Sequence, residues 1–418
     1  MRHGLPGRTW ESAKRKIRQV AGRKKPDGKE CGMAEKKRMA NMELLRMAAM
    51  VMVVAMHFLA KSGNLPVVGE ALTPQRIIGA LIEAFCLVAV NVYVLISGFF
   101  GLKGSFRVSK AISFLCQIWF YSLLVPLFLG GLKAFGILDA ALFIEKAGVI
   151  YGLSQYLLPI ETEHYWFATS YFLLLLLSPV LKAGTKRLSK RQFQILLGGL
   201  LLFFSVIKSI CPVPLSFDRY GYDLPWFICL YLTGLYLGKY GWKSLEKSRK
   251  KGFLLYALCC FLGYLINLGM WALAGKIDGA AYYFTVPYHY NFIFCLLGAV
   301  GLFYGFYGIR IREGRGAELC RQMGGLCFGV YLLHEHIDLR DQWYGWLQTL
   351  LGTGGKEGAG VFAGEFLASI CLLFGAGILI DYLRKKLFAA VSNSLSQSGI
   401  SHRIRKLDEV MAEKEEDH

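Results

Sequence analysis

The chain has 418 residues, 55% of them hydrophobic and 18% charged, with a mean hydropathy of +0.41. That balance excludes a water-soluble globular domain and a disordered chain, and points to a membrane protein. Forty-eight Lys+Arg against 29 Asp+Glu give a formal net charge of +19, which in a soluble protein would suggest nucleic acid, so the positions of the cations have to be read first.

Residues 1–40 are polar and rich in Lys and Arg, with no apolar core of a signal peptide. They read as a disordered cytoplasmic N-terminus, with Met33, Met39 and Met42 as alternative starts. Crossing about 30 Å of hydrocarbon takes about 20 apolar residues. Ten stretches qualify, at 43–60, 77–100, 111–130, 165–181, 192–210, 225–238, 253–274, 289–309, 325–338 and 361–383, of which 225–238 and 325–338 are short. The expected fold is all-α: a polytopic membrane bundle of about ten transmembrane helices over residues 41–388, with both termini cytoplasmic and a polar cytoplasmic tail at 389–418. On that topology the inner loops hold 18 Lys and Arg, and the mostly longer outer loops hold 9. This is the positive-inside pattern. The basic excess therefore follows membrane topology and lipid headgroups, and no nucleic-acid partner is expected. The eleven Cys lie mostly in apolar stretches without paired spacing, so neither a disulfide framework nor a zinc site is indicated, and no metal is expected.

Ionisable groups at membrane depth are costly and mark candidate sites, against a background of ordinary packing and snorkelling. In the first span Arg46 and His57 are eleven positions apart, about 16 Å along one helix face. The second span contains Asn91, ends in Ser97-Gly98-Phe99-Phe100-Gly101, and is followed by Lys103, Arg107 and Lys110. Three cations there can pair with phosphates, and Ser and Gly allow close helix approach. Glu161-Thr-Glu163-His164-Tyr165-Trp166 opens the fourth span, where a histidine flanked by carboxylates is more than an interfacial aromatic belt requires. Tyr331-Leu-Leu-His334-Glu335-His336 closes the ninth. Spacing i, i+2 keeps His334 and His336 off a common helix face, which argues against a metal site made from that pair.

Together, Glu43-Leu-Leu-Arg46 with His57, Val94-Leu-Ile-Ser97-Gly98-Phe99, His164-Tyr-Trp166-Phe167 and Tyr331-Leu-Leu-His334 resemble the acyltransferase family 3 membrane enzymes, over roughly residues 40–385. The resemblance implies a ten-span protein of the bacterial inner membrane. It implies O-acylation, usually O-acetylation, of an extracytoplasmic carbohydrate or glycolipid (exopolysaccharide, capsule, O-antigen or wall polymer), with acetyl-CoA as donor. The family's Arg and His of the first span map onto Arg46 and His57. Its basic pair at the start of the third span does not: Gln117 stands in that stretch, and Lys103, Arg107 and Lys110 are the nearest cations.

A sugar hydroxyl needs a positioned base to attack a thioester, and an imidazole suits neutral pH. His57 is expected as that base or as a covalent acyl carrier, with Glu163 and His164 sharing the catalytic site. Arg46, Lys103, Arg107 and Lys110 are expected to hold the CoA phosphates, and Trp166, Asn91 and His334 the acceptor. A multi-span transporter or flippase for a glycolipid or small solute is the competing class, since ten spans with a few buried polar groups fit it as well.

Overall fold

The computed structural model describes residues 38–102, 104–162, 164–395 and 398–413, and every regular element among them is helical. In chain order these are α1 (Ala40–Ser62), α2 (Pro74–Cys86), α3 (Val88–Gly101), α4 (Val108–Ala134), α5 (Val149–Leu157), α6 (Trp166–Arg187) and α7 (Lys190–Leu201, which runs on through a π turn to Ile210). Then follow α8 (Leu224–Tyr240), α9 (Arg249–Leu273), α10 (Ile293–Tyr307), α11 (Arg315–Gly324), α12 (Cys327–His334), α13 (Trp343–Leu351), α14 (Ala359–Leu395) and α15 (Gly399–Glu413). Capping residues set several of these starts. The Thr73 hydroxyl accepts from the Arg76 N–H ahead of α2, and the Asp223 carboxylate accepts from the Trp226 N–H ahead of α8, each with Pro in the first turn.

Eight helical stretches among the described residues are long and apolar enough to cross a membrane: α1, α2–α3, α4, α6, α7, α9, Ala280–Tyr307 and α14. Eight of the ten expected stretches thus correspond to such helices. The other two are the short ones. Segment 225–238 is α8, a 17-residue helix with most side chains buried. Segment 325–338 is the eight-residue α12 followed by turns. An eight-residue helix rises only about 12 Å, and α12 is wedged among α1, α4 and α14 as core.

Burial separates two layers. Helices α1, α3, α8 and α10 are mostly buried, whereas α4, α6, α7, α9 and α14 expose broad apolar faces, including Leu127, Phe128, Ile195, Leu254 and Leu367. Such faces would be costly in water and fit lipid. Gly98 of α3 sits against Gly234 and the Tyr231 carbonyl of α8 so tightly that a Cβ on Gly98 would lie 2.3 Å from that oxygen. The small-residue contact read from the sequence is thus a backbone-to-backbone crossing.

Candidate active site

His57 lies five residues before the end of α1, and His334 ends α12. The crossing of the two helices puts His57 Nδ1 2.8 Å from His334 Nε2 and 3.3 Å from Glu335 Oε1. The protons follow from the partners. His334 Nδ1 is 2.6 Å from the Val330 carbonyl, which can only accept, so Nδ1 carries the hydrogen of neutral His334 and Nε2 holds its lone pair. His57 Nδ1 therefore donates to His334 Nε2, with Glu335 as a nearby anionic acceptor. The remaining nitrogen of neutral His57, Nε2, keeps its lone pair.

His57 lines a cavity of about 40 Å³ whose walls are Met50, Val53, Val90, Phe328 and a set of aromatic rings. No described Lys, Arg, Asp or Glu lines it. Two of the rings, Trp166 and Tyr290, are nearly parallel at 5.7 Å, and Tyr222 packs on both at 4.5 and 4.8 Å. Asn91 holds Tyr290 in place by donating to its carbonyl at 2.7 Å and accepting from Trp226 Nε1 at 3.1 Å.

A second cavity, about 250 Å³, opens at the end of the bundle where α1 begins. Arg107, Lys110 and Lys182 line it, and no described acidic side chain does. Next to it the carboxylate of Asp408, on α15, accepts from the Ser109 N–H at 3.1 Å and from its hydroxyl at 2.6 Å. The tail is thus a helix starting at Gly399, packed on the first turn of α4 beside the basic cavity. α4 has no side-chain cap of its own, and Asp408 supplies one from 299 residues away.

The family comparison decides what class of protein carries this arrangement: the acyltransferase family 3 model, an acyltransferase domain, matches residues 39–385. The chain belongs to that family. No curated protein and no solved structure matches it. The helices and the family together make it a multi-pass membrane acyltransferase.

Within this acyltransferase the expected site residues fall into distinct places. His57 and His334 meet directly, and Trp166 shares the His57 cavity. Arg107 and Lys110 line the basic cavity. Arg46 is one turn from Glu43 on α1 and forms an ion pair with that buried carboxylate, while its carbonyl accepts from Tyr93 at 2.6 Å. Lys103 and Glu163 lie outside the described residues. Asn91, expected at the acceptor, lines neither cavity and is fully engaged beneath Tyr290. His164, expected to share catalysis, is buried with both ring nitrogens occupied: Nδ1 faces the Gln155 carbonyl at 3.1 Å and Nε2 accepts from the Ile337 N–H at 3.0 Å. Burial pushes its imidazole down to about 4. A neutral histidine with no spare lone pair is a strut, not a base. Gln117, where the family's basic pair is missing, donates to Asp381 at 2.9 Å in a buried cluster with Arg384.

Sequence reasoning did not single out Glu335, Lys182 or Tyr171, and read Ser97 only as a small residue allowing close helix approach. Glu335 was in view between two histidines, but only the turn that ends α12 brings it to His57. His57, His334 and Glu335 are the group among the described residues with donor atoms close enough to hold a metal ion. Ligands of a tetrahedral zinc ion with bonds of 2.0–2.1 Å stand about 3.3 Å apart, and the 2.8 Å between the two imidazoles is a hydrogen-bond spacing.

Proposed function

We propose that this protein moves an acetyl group from cytoplasmic acetyl-CoA to a hydroxyl of an extracytoplasmic carbohydrate, with His57 Nε2 as the general base. The observation that carries the reading is the unused lone pair of His57 on the wall of an apolar cavity, with a basic cavity on one side and an aromatic platform on the other. With α8 and the 325–338 segment counted as crossings alongside the eight long helices, both termini are cytoplasmic, and on that count the distribution of Lys and Arg favours the cytoplasmic side for the basic cavity.

Arg107 and Lys110, with the Lys182 ammonium that donates to the Gly104 carbonyl beside them, suit the donor's phosphates, since no described residue lining that cavity is acidic. The thioester end then reaches His57 without carrying the phosphates across the bilayer. The aromatic faces of Trp166, Tyr222 and Tyr290 suit the apolar face of a sugar ring. In the reaction His57 Nε2 takes the proton of the attacking hydroxyl, the sugar oxygen bonds to the thioester carbon, and the carbon–sulfur bond breaks. The proton on Nε2 then passes to the departing thiolate. While His57 holds that proton, the Glu335 carboxylate, 3.3 Å from Nδ1, stabilises the imidazolium, and His334 fixes the ring. The acyl pocket favours acetyl over succinyl, because the free carboxylate of a succinyl group would be desolvated there with no described cation to meet it.

The test is purified protein in nanodiscs with radiolabelled acetyl-CoA, wild type beside His57→Gln, following CoA release and label on protein or added glycan. CoA release that depends on His57, with label on glycan, is the expected result. Stable label on His57 would instead make it an acyl carrier. Turnover in His57→Gln near the wild-type rate would remove the proposal.

A further inference from the structure

The two cavities share no lining residue, and what separates them is a two-layer contact between α3 and α6. In the layer nearer the basic cavity, Ser97 and Tyr171 are hydrogen bonded at 2.8 Å, and both line that cavity. The Ser97 hydroxyl already donates to the Tyr93 carbonyl at 3.0 Å, so its single proton is spent and Tyr171 Oη is the donor. One turn away on each helix, Tyr93 and Phe167 meet edge to face at 6.2 Å, and both line the His57 cavity. Phe167 and Tyr171 are stacked at 5.8 Å, which joins the two layers. Phe114 of α4 packs on Tyr171 from the side and on Phe328, another wall of the His57 cavity.

We infer that Ser97 and Tyr171 form a gate which the donor's thioester arm parts on its way from the basic cavity to His57. The inference rests on the donor side of the reading above and adds the positioning residues that control entry. Closed, the pair keeps water and small solutes from passing between the two cavities, which a membrane enzyme joining both sides of a bilayer has to do. Open, it offers the arm polar groups from both residues: the amides of the pantetheine chain can replace the Tyr171–Ser97 bond with bonds to the same two hydroxyls. Exchange of one neutral hydrogen bond for another keeps the opening cost low when the arm is present and leaves it unmet when the arm is absent.

Access can be measured without turnover. Met50, on the wall of the His57 cavity, is replaced by Cys in the full chain, and inside-out vesicles are treated with the anionic, impermeant reagent sulfonatoethyl methanethiosulfonate. Modification of the peptide carrying residue 50 is followed by mass spectrometry, which separates it from the native cysteines. With the gate intact, modification is slow. Tyr171→Phe and Ser97→Ala each remove the hydrogen bond while keeping the packing, and each is expected to speed modification about two- to tenfold. Equal rates in all three backgrounds would overturn the gate. Because no acyl transfer is needed, failure of the acetyl-CoA assay with a gated modification rate would overturn the donor reading and leave the gate standing.

Discussion

The turn after α12 serves two histidine clusters built from neighbouring residues, and they are opposites. On one side His334 and Glu335 meet His57, a part-exposed residue that lines a cavity and retains a free nitrogen. On the other, His336 and Asp338 meet His164 and Tyr156, and none of the four lines the His57 cavity or the basic cavity. His336 Nδ1 accepts from the Asp338 N–H at 3.1 Å, and Asp338 Oδ1 accepts from the Phe143 N–H at 2.6 Å and from Tyr156 Oη at 2.9 Å. His164 has both nitrogens bonded. Residue types are nearly the same in the two clusters, and the difference lies in which lone pairs are spent. In the second cluster the nitrogens of both imidazoles are engaged, while Asp338 Oδ2 is buried without a partner; such a cluster ties chain segments together, whereas a histidine with an open valence on a cavity wall can do chemistry.

The largest effect that follows belongs to the open cluster. His57→Gln should lower acyl transfer about 10³-fold, within the range for loss of a general base, with thermal unfolding in detergent close to wild type. Comparable unfolding shifts in His57→Gln and His164→Gln would erase the distinction between the clusters.

The closed cluster should instead show in stability and its pH dependence. The folded state resists protonating His164 until about pH 4, while the unfolded chain takes up that proton near pH 6.5. Between those values the unfolded state binds more protons, so stability rises with pH. This contribution is intact above about pH 6.5 and is lost as pH falls toward 4, amounting to about 3 kcal/mol. Unfolding followed from pH 7 to pH 4 in wild type and His164→Gln should show the steeper decline in wild type. Parallel curves would mean that His164 is not the buried neutral strut described.

His334→Phe keeps a ring of similar shape and removes the acceptor of the His57 Nδ1–H. With His57 free to rotate, turnover should fall about 10- to 100-fold, the scale of a misplaced catalytic group, mainly in kcat rather than in KM for acetyl-CoA. A change confined to KM would place His334 at the substrate.

Why some of this was legible in the chain and some not comes down to range. The spans were readable because apolar length is a local property. Arg46 and His57 were readable as neighbours on one helix for the same reason, and α1 does run unbroken through both. The 325–338 stretch reads as a span by composition, while its helix α12 is eight residues long and packed among α1, α4 and α14, a packing that composition alone does not reveal. Asn91 and His164 looked like site residues because a polar group among apolar ones carries the same signal whether it holds a neighbour or a ligand. Their partners, Tyr290 and Trp226 for Asn91, Gln155 and Ile337 for His164, are set by tertiary packing. Glu335 and Lys182 went the other way. Glu335 stood at the end of an expected span and Lys182 in an expected inner loop, until the fold brought Glu335 to His57 and Lys182 to the basic cavity beside Arg107.

The two carboxylates of the turn give the finest separation. Glu335→Gln removes the negative charge next to His57 but keeps a group that can still accept a hydrogen bond. Since a charge-assisted bond is about twice as strong as a neutral one, the imidazolium formed during transfer loses on the order of 1 kcal/mol, and turnover should fall about five- to tenfold with unfolding unchanged. Asp338→Asn makes the same chemical change three residues later, where the carboxylate accepts from Phe143 and Tyr156 in the closed network. There the amide group weakens bonds that tie the 141–157 region to the turn, costing about 1–3 kcal/mol of stability, while turnover per folded molecule stays near wild type. Rates and unfolding curves for the two variants should therefore cross over, with one slow and stable, the other active and weakened. If both variants lost rate and stability together, the two clusters would be one coupled network, and the open valence on His57 would owe its orientation to His164 and Asp338 as much as to His334.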